Sequence, residues 1–185
     1  MWLQHRPARP AAVTVVLLFI NEPLPLGLCE HPHDGRIELA TGVPEDLVDL
    51  LNTTEAPMLT VRDAAVESLA DPNEQPRRCQ VLQVRRQSVL LALPVTAAAP
   101  PGGGLEAVEK RPTAATILLP GIEVTGQIHL PPGADPGSVP LLDRSDFLPV
   151  TDAVVTQSAF TIVRWEQPLV VVNLDRALVY APALE

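Results

Sequence analysis

Apolar residues along the chain fall in short runs enriched in β-branched side chains, separated by Pro, Gly, Asn and Asp. In the C-terminal half, Ile117-Leu-Leu, Val124 to Leu130, Val150 to Thr156, Leu169 to Asn173 and Ala177 to Tyr180 have the length and composition of strands. Asn173-Leu-Asp-Arg176 places turn formers between the last two runs, and Arg85-Arg-Gln-Ser88 does so in the N-terminal half. One segment has helical spacing. Pro44-Glu-Asp-Leu-Val-Asp-Leu-Leu51 sets proline and acids in a first turn and apolar residues along one face. Its counterpart, Asp135-Pro-Gly-Ser-Val-Pro-Leu-Leu142, is interrupted by proline and glycine, so only a short turn is expected there.

These runs recur. Gly35-Arg-Ile-Glu-Leu-Ala-Thr-Gly42 matches Gly126-Gln-Ile-His-Leu-Pro-Pro-Gly133, and Leu50-Leu51-Asn52 matches Leu141-Leu142-Asp143. Leu59-Thr-Val-Arg-Asp-Ala-Ala-Val66 matches Leu148-Pro-Val-Thr-Asp-Ala-Val-Val155, while Val84, Leu90 and Pro94 return as Val172, Leu178 and Pro182. Upstream, Pro10 to Leu17 lines up with Pro112 to Leu119. Five blocks in one order read as an internal duplication. Residues 10–96 form a first unit with an insertion near 18–34, residues 97–111 an Ala/Pro/Gly-rich linker, and residues 112–183 a second unit. About five short strands in each unit close most simply into a small barrel or roll. The expected fold is therefore mainly β: two tandem small β-barrel or roll domains of SH3-like or Sm-like size, with one merged sandwich as the structural alternative.

The second unit, from Gly126-Gln-Ile-His-Leu-Pro-Pro-Gly133 through Phe147-Leu-Pro-Val-Thr-Asp-Ala153 to Val172-Asn173-Leu-Asp175, resembles a family of small uncharacterised bacterial β-domains. The likeness covers roughly residues 115–182. The first unit departs from it, with Ala40-Thr41 for Pro131-Pro132 and Arg85 for Asn173. What the resemblance implies is a fold class, present as a tandem duplication, and no catalytic residues.

Composition narrows the functional classes. The 185 residues are 46% hydrophobic but only 3% aromatic, with 21 prolines and a net charge of −9. Few aromatic side chains and an acidic balance oppose stacking on single strands and contact with phosphates, so no nucleic-acid partner is expected. All but one of the basic residues are Arg (Lys110 is the exception), a bias that suggests a GC-rich bacterial genome. Arg6 and Arg9 precede an apolar run from Ala11 to Ile20 that imitates a signal peptide. The run is about half the ~20 residues needed to span a bilayer, and its internal counterpart marks it as a first strand. A cytoplasmic protein without a membrane span is expected.

Three groups carry candidate chemistry. Cys29, His31 and His33 alternate along an extended segment and present thiolate and imidazole to one side, a pattern zinc accepts, with His129 or Cys79 needed to complete a site. A polar surface loop is the plainer reading of that insertion. Asp63 and Asp152 occupy matching places, as a paired carboxylate or as residues of a turn or bulge. Arg77, Arg78, Arg85 and Arg86 form a basic cluster suited to an acidic partner, or to charged protection of a sheet edge. No nucleophile elbow and no phosphate-binding glycine loop accompanies them. The expected function is that of a non-enzymatic, cofactor-free interaction or assembly module with a protein partner or self-association. The alternative is a small-ligand or metal-binding protein using the Cys29–His33 insertion.

Overall fold

The computed structural model describes residues 15–19, 33–36, 47–52, 57–68, 75, 77–94, 110–139, 146–157 and 163–183. It is mainly β. The strands are β1 (Val15–Phe19), β2 (His33–Arg36), β3 (Met58–Ser68), β4 (Arg77–Arg85), β5 (Val89–Pro94), β6 (Arg111–Leu119), β7 (Ile122–Leu130), β8 (Phe147–Gln157), β9 (Val163–Asn173) and β10 (Val179–Pro182). Helix α1 (Leu47–Asn52) overlaps the segment whose spacing predicts one and runs one residue past it. In the proline-broken counterpart the described residues include a 3-10 turn, Pro136–Ser138, in which the Asp135 carboxylate accepts from Gly137 N at 3.0 Å. Both expected turns are 3-10 turns, Arg86–Ser88 and Leu174–Arg176, but they do not close hairpins, since β5 pairs with β1 and β9 rather than β4, and β10 pairs with β6 rather than β9.

Antiparallel pairing runs in the order β10-β6-β7-β8-β9-β5-β1-β2-β3-β4. The β3–β4 hairpin joins the rest through a short pairing, His33 with Ser68 and Asp34 with Glu67, and so makes a second sheet. Residues 15–94 are ordered β5-β1-β2-β3-β4 and residues 111–182 are ordered β10-β6-β7-β8-β9, the same sequence of elements. The β6–β7 connection is the two residues Pro120-Gly121, with Gly121 at φ 72 as a tight Pro-Gly turn requires. Between β1 and β2 residues 20–32 intervene, eleven more. Pairing sets Val15 opposite Pro94 and Ala115 opposite Pro182, a spacing of 100 between the halves rather than the 102 of the Pro10–Pro112 alignment.

No barrel closes among the described residues, which corrects the expectation of two self-contained barrels. The outer edge of β9 is covered by β5 of the other half, with Leu91 opposite Val172 and Ala92 opposite Val171. An edge already paired this way has no unsatisfied groups left to drive closure. Side chains from this junction feed two cores. Val170 and Val172 pack with Ile117, Val124, Ile128, Val150, Leu90 and Leu91 in the second core, that of the C-terminal half, while Val171 packs on the opposite face in the first core, with Leu47, Leu51, Val61, Val84, Val89 and Phe147. Alternation along β9 thus divides its valines between the cores. Val89, Leu90, Leu91 and Ala92 are all buried, since β5 has a core on each face and a strand on each side.

Polar contacts lock the junction. The Asn52 side chain donates to the Phe147 carbonyl at 3.0 Å and accepts from Phe147 N at 2.9 Å, so α1 holds the start of β8 as a neighbouring strand would. Arg86 bridges the halves, pairing with Asp146 at 2.9 Å and donating to the Leu51 carbonyl at 3.0 Å. Buried Asn173 donates to the Val89 carbonyl at 2.8 Å and accepts from Asp175 N at 3.0 Å. Arg176 Nε donates to the Gln87 carbonyl at 2.6 Å. Arg86→Met keeps the aliphatic stem but strands a half-buried carboxylate and a carbonyl. It is expected to lower stability by about 2 kcal/mol in urea unfolding, with Asp146→Asn costing less.

Candidate functional site

Of the Cys29–His33 group, Cys29 and His31 lie outside the described residues. His33 opens β2, where its backbone pairs with Ser68 and Phe19. Among the described residues no three His, Cys, Asp or Glu side chains gather into a metal-sized cluster. The two residues considered for completing such a site are far apart, since six strands separate β4, which carries Cys79, from β7, which carries His129. Cys79 is a half-buried free thiol against the first core, and His129 Nε2 is engaged with Thr151 Oγ1 at 2.7 Å.

The four arginines divide. Arg77 and Arg78 begin β4 and Arg85 ends it, a strand length of roughly 25 Å at ~3.3 Å per residue. All three are exposed. Arg86 turns inward, its side chain 12% exposed, with its guanidinium 6.0 Å from the centre of the Phe147 ring. It belongs to the junction, whereas Arg77, Arg78 and Arg85 mark a strand that ends the pairing order.

Asp63 and Asp152 lie in β3 and β8, with four strands between them in the pairing order. The Asp63 side chain lies outside the described residues. Asp152 is a bulge residue. Its φ of 49 is left-handed, uncommon without glycine but tolerated by Asp, and the β7–β8 register shifts opposite it between Thr125 and Gln127. Burial records the shift: Val150 faces the core, and the next buried side chain is Ala153, three positions on. Val61 and Ala64 are buried with the same spacing around Asp63. Gly126 faces the bulge because a Cβ there would lie 2.6 Å from Val150 Cγ1 and 2.7 Å from the Thr151 carbonyl oxygen.

This bulge floors an open depression of about 300 Å3 lined by Ala114, Thr116, Gly126, Asp152 and Ala183 among others, in which Asp152 is the sole ionisable side chain. Beyond Asp152 the polar groups are Thr116, Thr125 and Gln127. A lone exposed carboxylate with hydroxyl and amide neighbours lacks the partner that general acid–base chemistry needs at hydrogen-bond distance. Beside it runs β10, whose Tyr180 hydroxyl donates to the Pro136 carbonyl at 3.0 Å. Burial first, and the nearby Asp135 carboxylate second, push the Tyr180 phenol from its ordinary value near 10 up to about 12.

The remaining feature is at the ends of the strand order. Among the described residues the exposed large apolar side chains are Met58, Val81, Leu178 and Val179. Val81 is on β4, Met58 is opposite Arg85 on the neighbouring strand, Val179 is on β10, and Leu178 precedes it. These residues were not among the sequence-derived candidates. Their apolar character was visible, but which strand ends the order is set by pairing. No described helix is long and apolar enough to cross a membrane. No protein-family model, curated protein or solved structure matches the chain.

Gly126→Ala is expected to destabilise by about 2 kcal/mol in urea unfolding, because the contact it creates is with backbone and a packed valine. Tyr180 is the sole tyrosine, so absorbance reads its ionisation alone. Phenolate should appear near pH 12 in the folded chain and near pH ~10 in urea. Because the folded state holds the proton to higher pH, this contribution to stability is complete below about pH 10 and lost as pH rises from there to about 12. Tyr180→Phe should abolish that component, and coincident titrations with and without urea would refute the assignment.

Proposed function

We propose that the chain is a non-enzymatic interaction or assembly module built from two duplicated small β-units of SH3-like or Sm-like size, docking a protein partner through its strand edges. The observation that carries this reading is that the exposed large apolar side chains of the described residues lie on or beside the two strands that end the pairing order: Val81 on β4 with Met58 on adjacent β3, and Val179 on β10 with Leu178 just before it. Unpaired N–H and C=O groups on an edge strand are a template for another strand, and apolar side chains there supply the burial that stabilises it. The duplication is supported by the common order of elements in the two halves and by corresponding pairings, Leu59 with Val84 and Leu148 with Val172. Matching 3-10 turns before β5 and β10 add to it.

A photo-activated cross-linking residue in place of Val81 or Leu178 tests this in cells. Each position is expected to trap a discrete adduct, while the exposed control Glu123, on an interior strand, traps none. Absence of adducts from both edges, or equal labelling of the control, would overturn the reading.

A further inference from the structure

We infer that the partner of these edges is a second copy of this chain, bound head to tail, with β10 of one molecule pairing with β4 of the next. The inference rests on the duplicated-module reading and names the partner for it. The β5–β9 junction is the template. If the halves correspond, β5 corresponds to β10 and β9 to β4, so among the described residues this interface occurs once and its two unmatched sides stand at the two ends of the strand order.

Burial at corresponding positions differs as that assembly requires. Leu90 and Leu91, 2% and 0% exposed at the junction, correspond to Leu178 and Val179, which are 70% and 45% exposed on the free edge. Phe147, 1% exposed beneath α1 and Arg86, corresponds to Met58, 41% exposed. Apolar character is therefore retained at positions that this molecule alone leaves in water, where a monomer would gain solubility by losing it. Continuing the junction's register sets Val179 opposite the partner's Val84 and Tyr180 opposite the partner's Gln83, as Leu91 and Ala92 stand opposite Val172 and Val171. Arg85 occupies the place of Asn173, which donates to the Val89 carbonyl across the junction, so a donor is kept there. Pro182 ends the pairing on β10 as Pro94 ends β5.

An interface made of two different surfaces is heterologous, and its repetition gives a ring or an open chain rather than a symmetric dimer. The charge pattern suits this geometry. Exposed Arg77, Arg78 and Arg85 line the β4 side of a chain whose net charge is −9, so one end of each molecule attracts the body of the next.

The test uses the full chain and two variants, Met58→Glu on the β4 side and Leu178→Glu on the β10 side. Both positions are exposed, and circular dichroism checks that each variant is folded. Light scattering over a dilution series should give the wild-type chain a mass at least twice the 19.9 kDa of one chain. Each variant alone should be monomeric, having one competent edge. An equimolar mixture of the two should form a discrete heterodimer, from the intact β10 of Met58→Glu and the intact β4 of Leu178→Glu. A monomeric wild type would overturn the inference, as would an oligomer that neither variant dissociates. A mixture that stays monomeric would overturn it in favour of a symmetric interface. A monomeric wild type whose edge cross-links run to other proteins would leave the module reading standing, whereas edges without adducts would remove both.

Discussion

The pairing of β5 with β9 is the constraint on which the rest of the molecule depends. β5 comes from the first half and β9 from the second, yet both are central in the strand order, with β1 and β8 on their outer sides. Where they meet, Val89 to Ala92 and Val170 to Val172 are buried on both faces, so their apolar side chains need cover above and below. The two cores supply that cover, each recruiting residues from the opposite half: Leu90 and Leu91 enter the second core, and Phe147 and Val171 enter the first. Neither core is complete without the other half. The polar groups that the junction buries are matched one by one, Asn173 with the Val89 carbonyl and Arg86 with Asp146 and the Leu51 carbonyl. Unmatched, each would cost on the order of 1–3 kcal/mol.

The same constraint leaves the ends of the molecule open. Every strand of the described residues between β10 and β4 is hydrogen-bonded on two sides, and those two are hydrogen-bonded on one. The proposed function follows from that asymmetry and not from a pocket. The depression beside Gly126 and Asp152 exists because a bulge resets the alternation of β8, and its lone carboxylate is a by-product of the backbone that only Asp, Asn or Gly adopts easily. The arginines on and after β4 divide by the same logic: Arg86, facing the second half, is largely covered in an ion pair, and Arg77, Arg78 and Arg85 on β4 are exposed.

Much of the element list was legible. Runs of β-branched residues, helix α1 (Leu47–Asn52) and the turn formers near residues 86 and 174 stand close to where local preference puts them. The two halves of the asparagine clamp were less visible. Asn52 was seen only as a matched residue, because its hydrogen bonds reach Phe147, 95 positions away. Asp152 was legible as a turn or bulge residue, and the Val-x-Asp-Ala pattern that it shares with Asp63 was the signal for it.

The sequence by itself determined the strands, their turns, the matching order of apolar blocks and the acidic, aromatic-poor surface, since each depends on neighbours within a few residues or on composition. Tertiary structure alone decided that β9 finds β5 instead of closing on its own half, that Arg86 points inward while Arg85 does not, and that Leu178 and Val179 remain exposed where Leu90 and Leu91 are buried. Hydrophobic pattern states which face of a strand seeks cover. It does not state which strand provides it, because backbone donors and acceptors are alike at every position and only the folded order leaves particular ones unpaired.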